Sequence, residues 1–139
     1  MKNHRILAFD FGLKRIGIAA GNTQTKTSQP IKIINNNKDW THFDKIINEW
    51  RPGKLVVGLP ISMDGNETVI SRHAREFGKQ ISKRYGLDVE FCDERLSSKE
   101  AKYRIEANKF PEGKPKSTSG IDHLSAQLIL ETYFQNEFE

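Results

Sequence analysis

The chain has one cysteine, Cys92, among 139 residues, so it can form no internal disulfide and the cystine-stapled scaffolds of small secreted proteins are excluded. Cys92 ends an apolar run and reads as a small core residue. No apolar stretch approaches the roughly 18 residues that a membrane-spanning helix needs. Met1-Lys2-Asn3-His4-Arg5 leads directly into an apolar strand, which leaves no room for a signal peptide, and the expected address is the cytoplasm. Internal repeats are absent. Gly21-Asn22-Thr23-Gln24-Thr25-Lys26-Thr27 lacks the second glycine of a phosphate-binding P-loop, which weighs against nucleotide phosphotransfer.

What remains is a chain of 36% hydrophobic residues and mean hydropathy −0.65, expected to form a single domain over residues 1–139 with its own core. A net charge of +4 and a pI near 9.2 point mildly toward an anionic partner, since Lys and Arg neutralising phosphates supply most non-specific nucleic-acid affinity. Arg72, Arg75, Lys79 and Lys83 recur at helical spacing opposite an apolar stripe of Ile70, Ala74, Phe77 and Ile81. A solvated helix face is the simpler reading of that pattern.

Apolar periodicity predicts strands at residues 5–11, 16–21 and 29–35, the last beginning near Pro30 and closed by an Asn run. Trp40, Phe43, Ile46, Ile47 and Trp50 then fall on an amphipathic helix that stops before Pro52-Gly53, and both tryptophans read as core. Leu55-Val56-Val57-Gly58-Leu59 is apolar almost throughout, as a strand buried on both faces must be. A basic helix at 67–85 opens at Asn66-Glu67-Thr68 and closes at Gly86; Val89-Glu90-Phe91-Cys92 is a fifth strand, and helices at 97–108 and 121–135 complete the chain. This order predicts an α/β fold with a five-stranded mixed sheet: an antiparallel three-strand meander plus parallel strands, flanked by helices.

Asp10 stands out against this background. It ends the strand Ile6-Leu7-Ala8-Phe9 and is followed by Phe11-Gly12-Leu13-Lys14-Arg15-Ile16-Gly17. Strands exclude Asp because it is costly to bury unpaired, so an Asp there coordinates a metal, meets a cation or starts a turn. Gly12 and Gly17 allow positive φ and close approach of a polyanion, and Arg15 offers a planar fork suited to phosphate. Glu94, just after the fifth strand, and Asp122, in the first turn of the last helix, occupy comparable places. Taken singly each has a structural alternative, such as the Ser119-x-x-Asp122 capping pattern. Clustered carboxylates repel unless a cation lies among them, and their hard oxygens suit Mg²⁺ or Mn²⁺ in phosphodiester hydrolysis. His73 and His123 lack metal-ligand spacing. Pro111-Glu112-Gly113-Lys114-Pro115-Lys116 begins a turn-rich stretch whose Lys114 and Lys116 could lie over a substrate.

Four motifs in order, the Asp10–Gly17 segment, Val56-Val57-Gly58-Leu59-Pro60 with Asp64-Gly65, Asp93-Glu94-Arg95-Leu96-Ser97, and Asp122 with Ala126 and Ile129-Leu130, resemble those of the bacterial YqgF/RuvX family. The resemblance covers nearly the whole chain. It implies a ribonuclease-H-like fold and a metal-dependent nuclease that matures the 5′ end of pre-16S rRNA in ribosome biogenesis. In that reading Asp10, Glu94 and Asp122 are the catalytic, metal-binding carboxylates, while Gly12, Arg15, Pro60, Gly65 and Arg95 shape the site or hold phosphates. Ser117-Thr118-Ser119 departs from the more basic stretch usual in relatives. Expected partners are structured RNA or an immature ribosomal subunit, with branched DNA as an alternative and no membrane; the expected state is a monomer or weak homodimer. A Holliday junction resolvase and a non-catalytic RNA-binding assembly factor stay open as alternatives.

Overall fold

The computed structural model describes residues 3–37, 39–60, 64–93 and 121–137, with side chains over 125–135 in the last stretch. Its elements are β1 (Arg5–Phe11), β2 (Arg15–Asn22), β3 (Thr27–Asn35), α1 (Thr41–Trp50), β4 (Lys54–Leu59), α2 (Val69–Tyr85), β5 (Val89–Asp93) and α3 (Ile121–Glu137). The helix expected at 97–108 lies outside the described residues. Among those residues no helix is long and apolar enough to cross a membrane.

The strands form one sheet in the order β3-β2-β1-β4-β5. β1 pairs antiparallel with β2, and β2 with β3, whereas β1 pairs parallel with β4, and β4 with β5. β1 is thus the middle strand, hydrogen-bonded on both sides, which explains its unbroken apolar run. Pro30 has no amide to give to a ladder, and it sits on edge strand β3 where the pairing slips between Ile18 and Ala19.

Period-2 alternation sends the side chains of β1 into two cores. Leu7 and Phe9 join Ile16, Ile18, Leu55 and Val57 under α1 and α2, where Phe43, Ile46, Ala74, Phe77 and Ile81 are buried. Trp40 does not lie within the helix as expected but caps it, at φ −82° and ψ −5° with no side-chain bond to the helix amides. Its ring stacks parallel to Phe77, so its place is set by tertiary packing and the expectation that it belongs to the core holds. On the other face Ile6, Ala8, Ala19, Val56 and Cys92 pack against Ala126, Ile129, Leu130, Tyr133 and Phe134 of α3. Cys92 is therefore the core residue its neighbours suggested.

Local chemistry explains the helix ends. α2 starts two residues later than expected because Thr68 takes the cap: its Oγ1 accepts from Ser71 N at 3.2 Å and its amide donates to Ser71 Oγ at 2.7 Å. Gly86, at φ 65°, ends α2 in the left-handed region and donates its N–H to the Ser82 carbonyl.

Candidate active site

β1, β4 and β5 run parallel, so Phe9, Leu59 and Asp93 approach the same edge of the sheet. Asp10 is the next-to-last residue of β1 and sits opposite Gly17 of β2. By strand alternation it faces the same side as Ile6 and Ala8, the side that α3 covers. Gly17 is buried there and adds no side chain beside the carboxylate.

The turn after β1 is held tightly. A Cβ on Gly12 would come within 2.6 Å of the Arg15 carbonyl oxygen, so this glycine serves close backbone approach. Neither Gly12 nor Gly17 has positive φ, which corrects the expectation that they supply left-handed backbone. Asn36 Nδ2 donates to the Gly12 carbonyl at 2.8 Å, and the Asn36 amide donates to the Lys14 carbonyl at 2.8 Å. Asn36 thus positions the turn, a role that the sequence signalled only through the Asn run after β3.

Asp10, Gly12, Lys14, Arg15, Gly17 and Ile33 line an open cleft of about 220 Å³. The expected residues Asp10, Gly12 and Arg15 therefore meet, and Lys14 joins them although spacing did not single it out. Pro60 and Gly65 do not line this cleft. Pro60 accepts a hydrogen bond from Thr68 Oγ1 at 3.2 Å, which ties the start of α2 to the end of β4. Gly65 occupies a turn at φ 88°, next to Asp64, whose carboxylate accepts from the Asn66 amide.

Glu94, Arg95, Lys114, Lys116 and the side chain of Asp122 lie outside the described part of the structure. The path of α3 is nevertheless defined. Tyr133 lies beside Lys54 at the beginning of β4, while the Ile129 carbonyl lies 3.9 Å from Cys92 Sγ near the end of β5. Going toward its N-terminus, the helix therefore runs toward the edge that holds Asp10, and its first turn contains Asp122. Seven residues separate Ile129 from Asp122, a rise of about 10 Å. Among the described residues no three His, Cys, Asp or Glu side chains form a metal cluster.

The groups with displaced pKa values hold helices in place at a distance from Asp10. Burial and a hydrogen bond to Glu90 push the Tyr133 hydroxyl up to about 12. Lys54, bonded to Glu90 at 3.1 Å, is also raised. On the opposite face Asp44 accepts from Arg84 and Tyr85 and is lowered to about 2. Gln127 Nε2 donates to the Ser28 carbonyl and Ser28 Oγ donates to Glu131, so α3 is also tied to β3. These pairs orient the elements that frame the cleft. A separate cavity of about 510 Å³ lies on the α1 and α2 side, lined by Phe11, Leu13, Trp40, His73 and Phe77 among others.

The five-stranded mixed sheet in the order β3-β2-β1-β4-β5, with helices on both faces, is a ribonuclease-H-like fold. Solved structures agree on the fold: Thermus thermophilus RuvC in complex with a Holliday junction substrate has a TM-score of 0.61 at 12% identity, covering 96% of this chain and 94% of that one. The fowlpox virus Holliday junction resolvase has a TM-score of 0.55 at 17% identity, covering 95% of this chain and 99% of that one.

The chain belongs to the RuvX family, described as Holliday junction resolvase, whose sequence profile matches residues 4–136. A protein of Aeromonas hydrophila subsp. hydrophila named "Putative pre-16S rRNA nuclease" is 41% identical over 143 residues, covering 99% of each chain. One of Haemophilus ducreyi with the same name is 44% identical over 136 residues, covering 94% of this chain and 96% of that one.

Proposed function

We propose that this protein is a divalent-metal-dependent nuclease that processes the 5′ end of pre-16S rRNA, with Asp10, Glu94 and Asp122 as its catalytic carboxylates. The observation that carries this reading is the position of Asp10: at the end of the central strand, in an open cleft with Lys14 and Arg15, on the face and edge toward which the first turn of α3 is directed. RNA is favoured as substrate because the relatives named for pre-16S rRNA match at about 40% identity over nearly the whole chain.

The donor chemistry fits a hard divalent ion. Among the described residues the cleft offers a carboxylate and no sulfur or imidazole, and the one cysteine is buried in the apolar layer beneath α3. Asp10, Glu94 and Asp122 would hold Mg²⁺ or Mn²⁺, which supplies positive charge at the scissile phosphate and acidifies the attacking water. Arg15 and Lys14 neutralise the phosphate, Arg15 by a paired donor fork. The missing side chain at Gly17 and the close turn at Gly12 keep bulk away from the strand end where the sugar-phosphate backbone approaches. Arg95, Lys114 and Lys116 hold the flanking chain, and Pro60 and Gly65 shape the edge through the start of α2 and the turn before it. Water attacks phosphorus, one phosphodiester P–O bond breaks, and the leaving oxygen takes a proton.

The test is cleavage of end-labelled pre-16S RNA, free and in immature subunits, with Mg²⁺ or Mn²⁺. Metal-dependent cuts near the mature 5′ end are expected from wild type. Asp10→Asn and Asp122→Asn are each expected to lose about 1,000-fold in rate, equivalent to about 4 kcal/mol of barrier, with binding retained. Equal cleavage by all three proteins would refute the assignment. The family description favours a second reading, a four-way DNA junction as substrate. Symmetric cleavage of a junction by a two-fold dimer would support it, and a strict monomer on junction DNA would count against it.

A further inference from the structure

α2 carries a charge imbalance that the nuclease site does not use. Residues 69–85 contain five basic residues, Arg72, Arg75, Lys79, Lys83 and Arg84, against one acid, Glu76. That surplus of four equals the net charge of +4 of the whole chain, leaving the remainder balanced. A helix face that is merely solvated has both signs interspersed. Arg75 pairs with Glu67, and Arg84 pairs with Asp44. Arg72, Lys79 and Lys83 are exposed and make no ion pair among the described residues.

At 100° per residue these three side chains fall within about 20° of one line, opposite the buried Ala74 and Ile81. From Arg72 to Lys83 the line runs about 16 Å along the helix. It begins near the Asp10 edge, because Thr68 anchors the start of α2 to Pro60 at the end of β4. Beside it on edge strand β5, the exposed Phe91 ring lies over Gly78, where a Cβ would come within 2.6 Å of it. The Arg75 guanidinium sits 5.4 Å from that ring's centroid. A basic track beside an exposed aromatic ring is the arrangement that holds single strands: phosphates on the cations, a base on the ring.

We propose that the outer face of α2, with Phe91 of β5, binds a single-stranded RNA segment flanking the cleavage point, along Arg72, Lys79 and Lys83. This rests on the nuclease reading of the Asp10 cleft and adds a second surface, on the other side of the sheet, for substrate leaving that edge. The alternative is the simpler reading of the same exposed residues as a solvated face.

The test is fluorescence anisotropy of a labelled single-stranded pre-16S leader RNA between 0.05 and 0.5 M KCl, roughly the range over which counterion release is readable. Proteins to compare are wild type, the triple variant Arg72→Gln/Lys79→Gln/Lys83→Gln, and a control of equal charge loss, Lys26→Gln/Lys32→Gln/Lys45→Gln. The slope of log affinity against log salt should become shallower by about 2 in the α2 variant, for three lost phosphate contacts. With curves converging near 1 M salt, that slope corresponds to about 100-fold weaker binding at 0.1 M. The control should keep a slope within about 0.5 of wild type. Phe91→Leu should weaken binding by at least about 5-fold with the slope unchanged, since it removes a stacking face and no charge. Equal slopes for wild type and the α2 variant, or an equal loss in the control, would overturn this proposal while leaving the nuclease reading intact. Failure of wild type to bind the RNA at low salt would overturn both.

Discussion

Leu130→Ala tests how α3 is held on the sheet, and with it the delivery of Asp122. Leu130 is fully buried and its Cδ1 lies 3.1 Å from where a Cβ on Gly21 would stand. The Gly21 position is itself confined by the Thr27 carbonyl, 2.9 Å from the same point. The wall facing Leu130 is thus paired strand backbone, which cannot move in to fill a void. Losing the side chain removes about 2–3 kcal/mol of transfer free energy, and the residual cavity raises the cost to about 3–4 kcal/mol. Against the total of about 5–15 kcal/mol ordinary for a domain, that is a large share. It should lower the melting temperature by about 10 °C. Urea denaturation followed by far-UV circular dichroism measures the loss. Tryptophan emission, from Trp40 and Trp50 in the α1 and α2 layer, tests whether α3 lets go before the rest. An unchanged m-value with a lower midpoint is expected. A loss below about 1 kcal/mol would refute the reasoning, because a fully buried leucine against an immobile wall cannot be that cheap.

Three further outcomes follow from particular contacts. Gly12→Ala should leave the sheet folded but lower nuclease activity at least about 10-fold, since the new Cβ would meet the Arg15 carbonyl at 2.6 Å and must shift the turn beside Asp10; full activity with an undisturbed melting curve would contradict it. Gly86→Ala should cost about 1 kcal/mol in urea denaturation, all of it backbone strain, because φ is 65° and no atom lies within 4 Å of the added carbon; a stabilised variant would contradict the left-handed cap. Asp44 is depressed from 3.8 to about 2 chiefly by its hydrogen bond from Arg84, so its stabilising effect is present above pH 4 and fades as pH falls toward 2. Asp44→Asn should therefore reduce stability at pH 7 and make a much smaller difference near pH 2, where about half of the folded carboxyl is already protonated. An equal deficit at both pH values, measured by urea midpoint, would count against the linkage.

The linear sequence determined the order and kind of the described elements, because alternation, helical spacing and turn residues act over a few neighbours. Leu55–Leu59 showed a strand buried on both sides, Gly86 a helix stop, and Cys92 a core position, all through immediate sequence context. The same local logic marked Asp10 as an acid in an apolar strand. It could not show which residues join Asp10 in the cleft, and there Lys14 and Asn36 entered unannounced while Pro60 and Gly65 fell elsewhere. Asn36 reaches Gly12 across 24 positions, and Ser28 reaches Glu131 across 103. Only the tertiary structure decided those pairings, the central place of β1 between β2 and β4, and the direction of α3 toward the Asp10 edge. The physical reason is that such contacts depend on which apolar faces bury one another, and a face carries no record of its partner in its own periodicity.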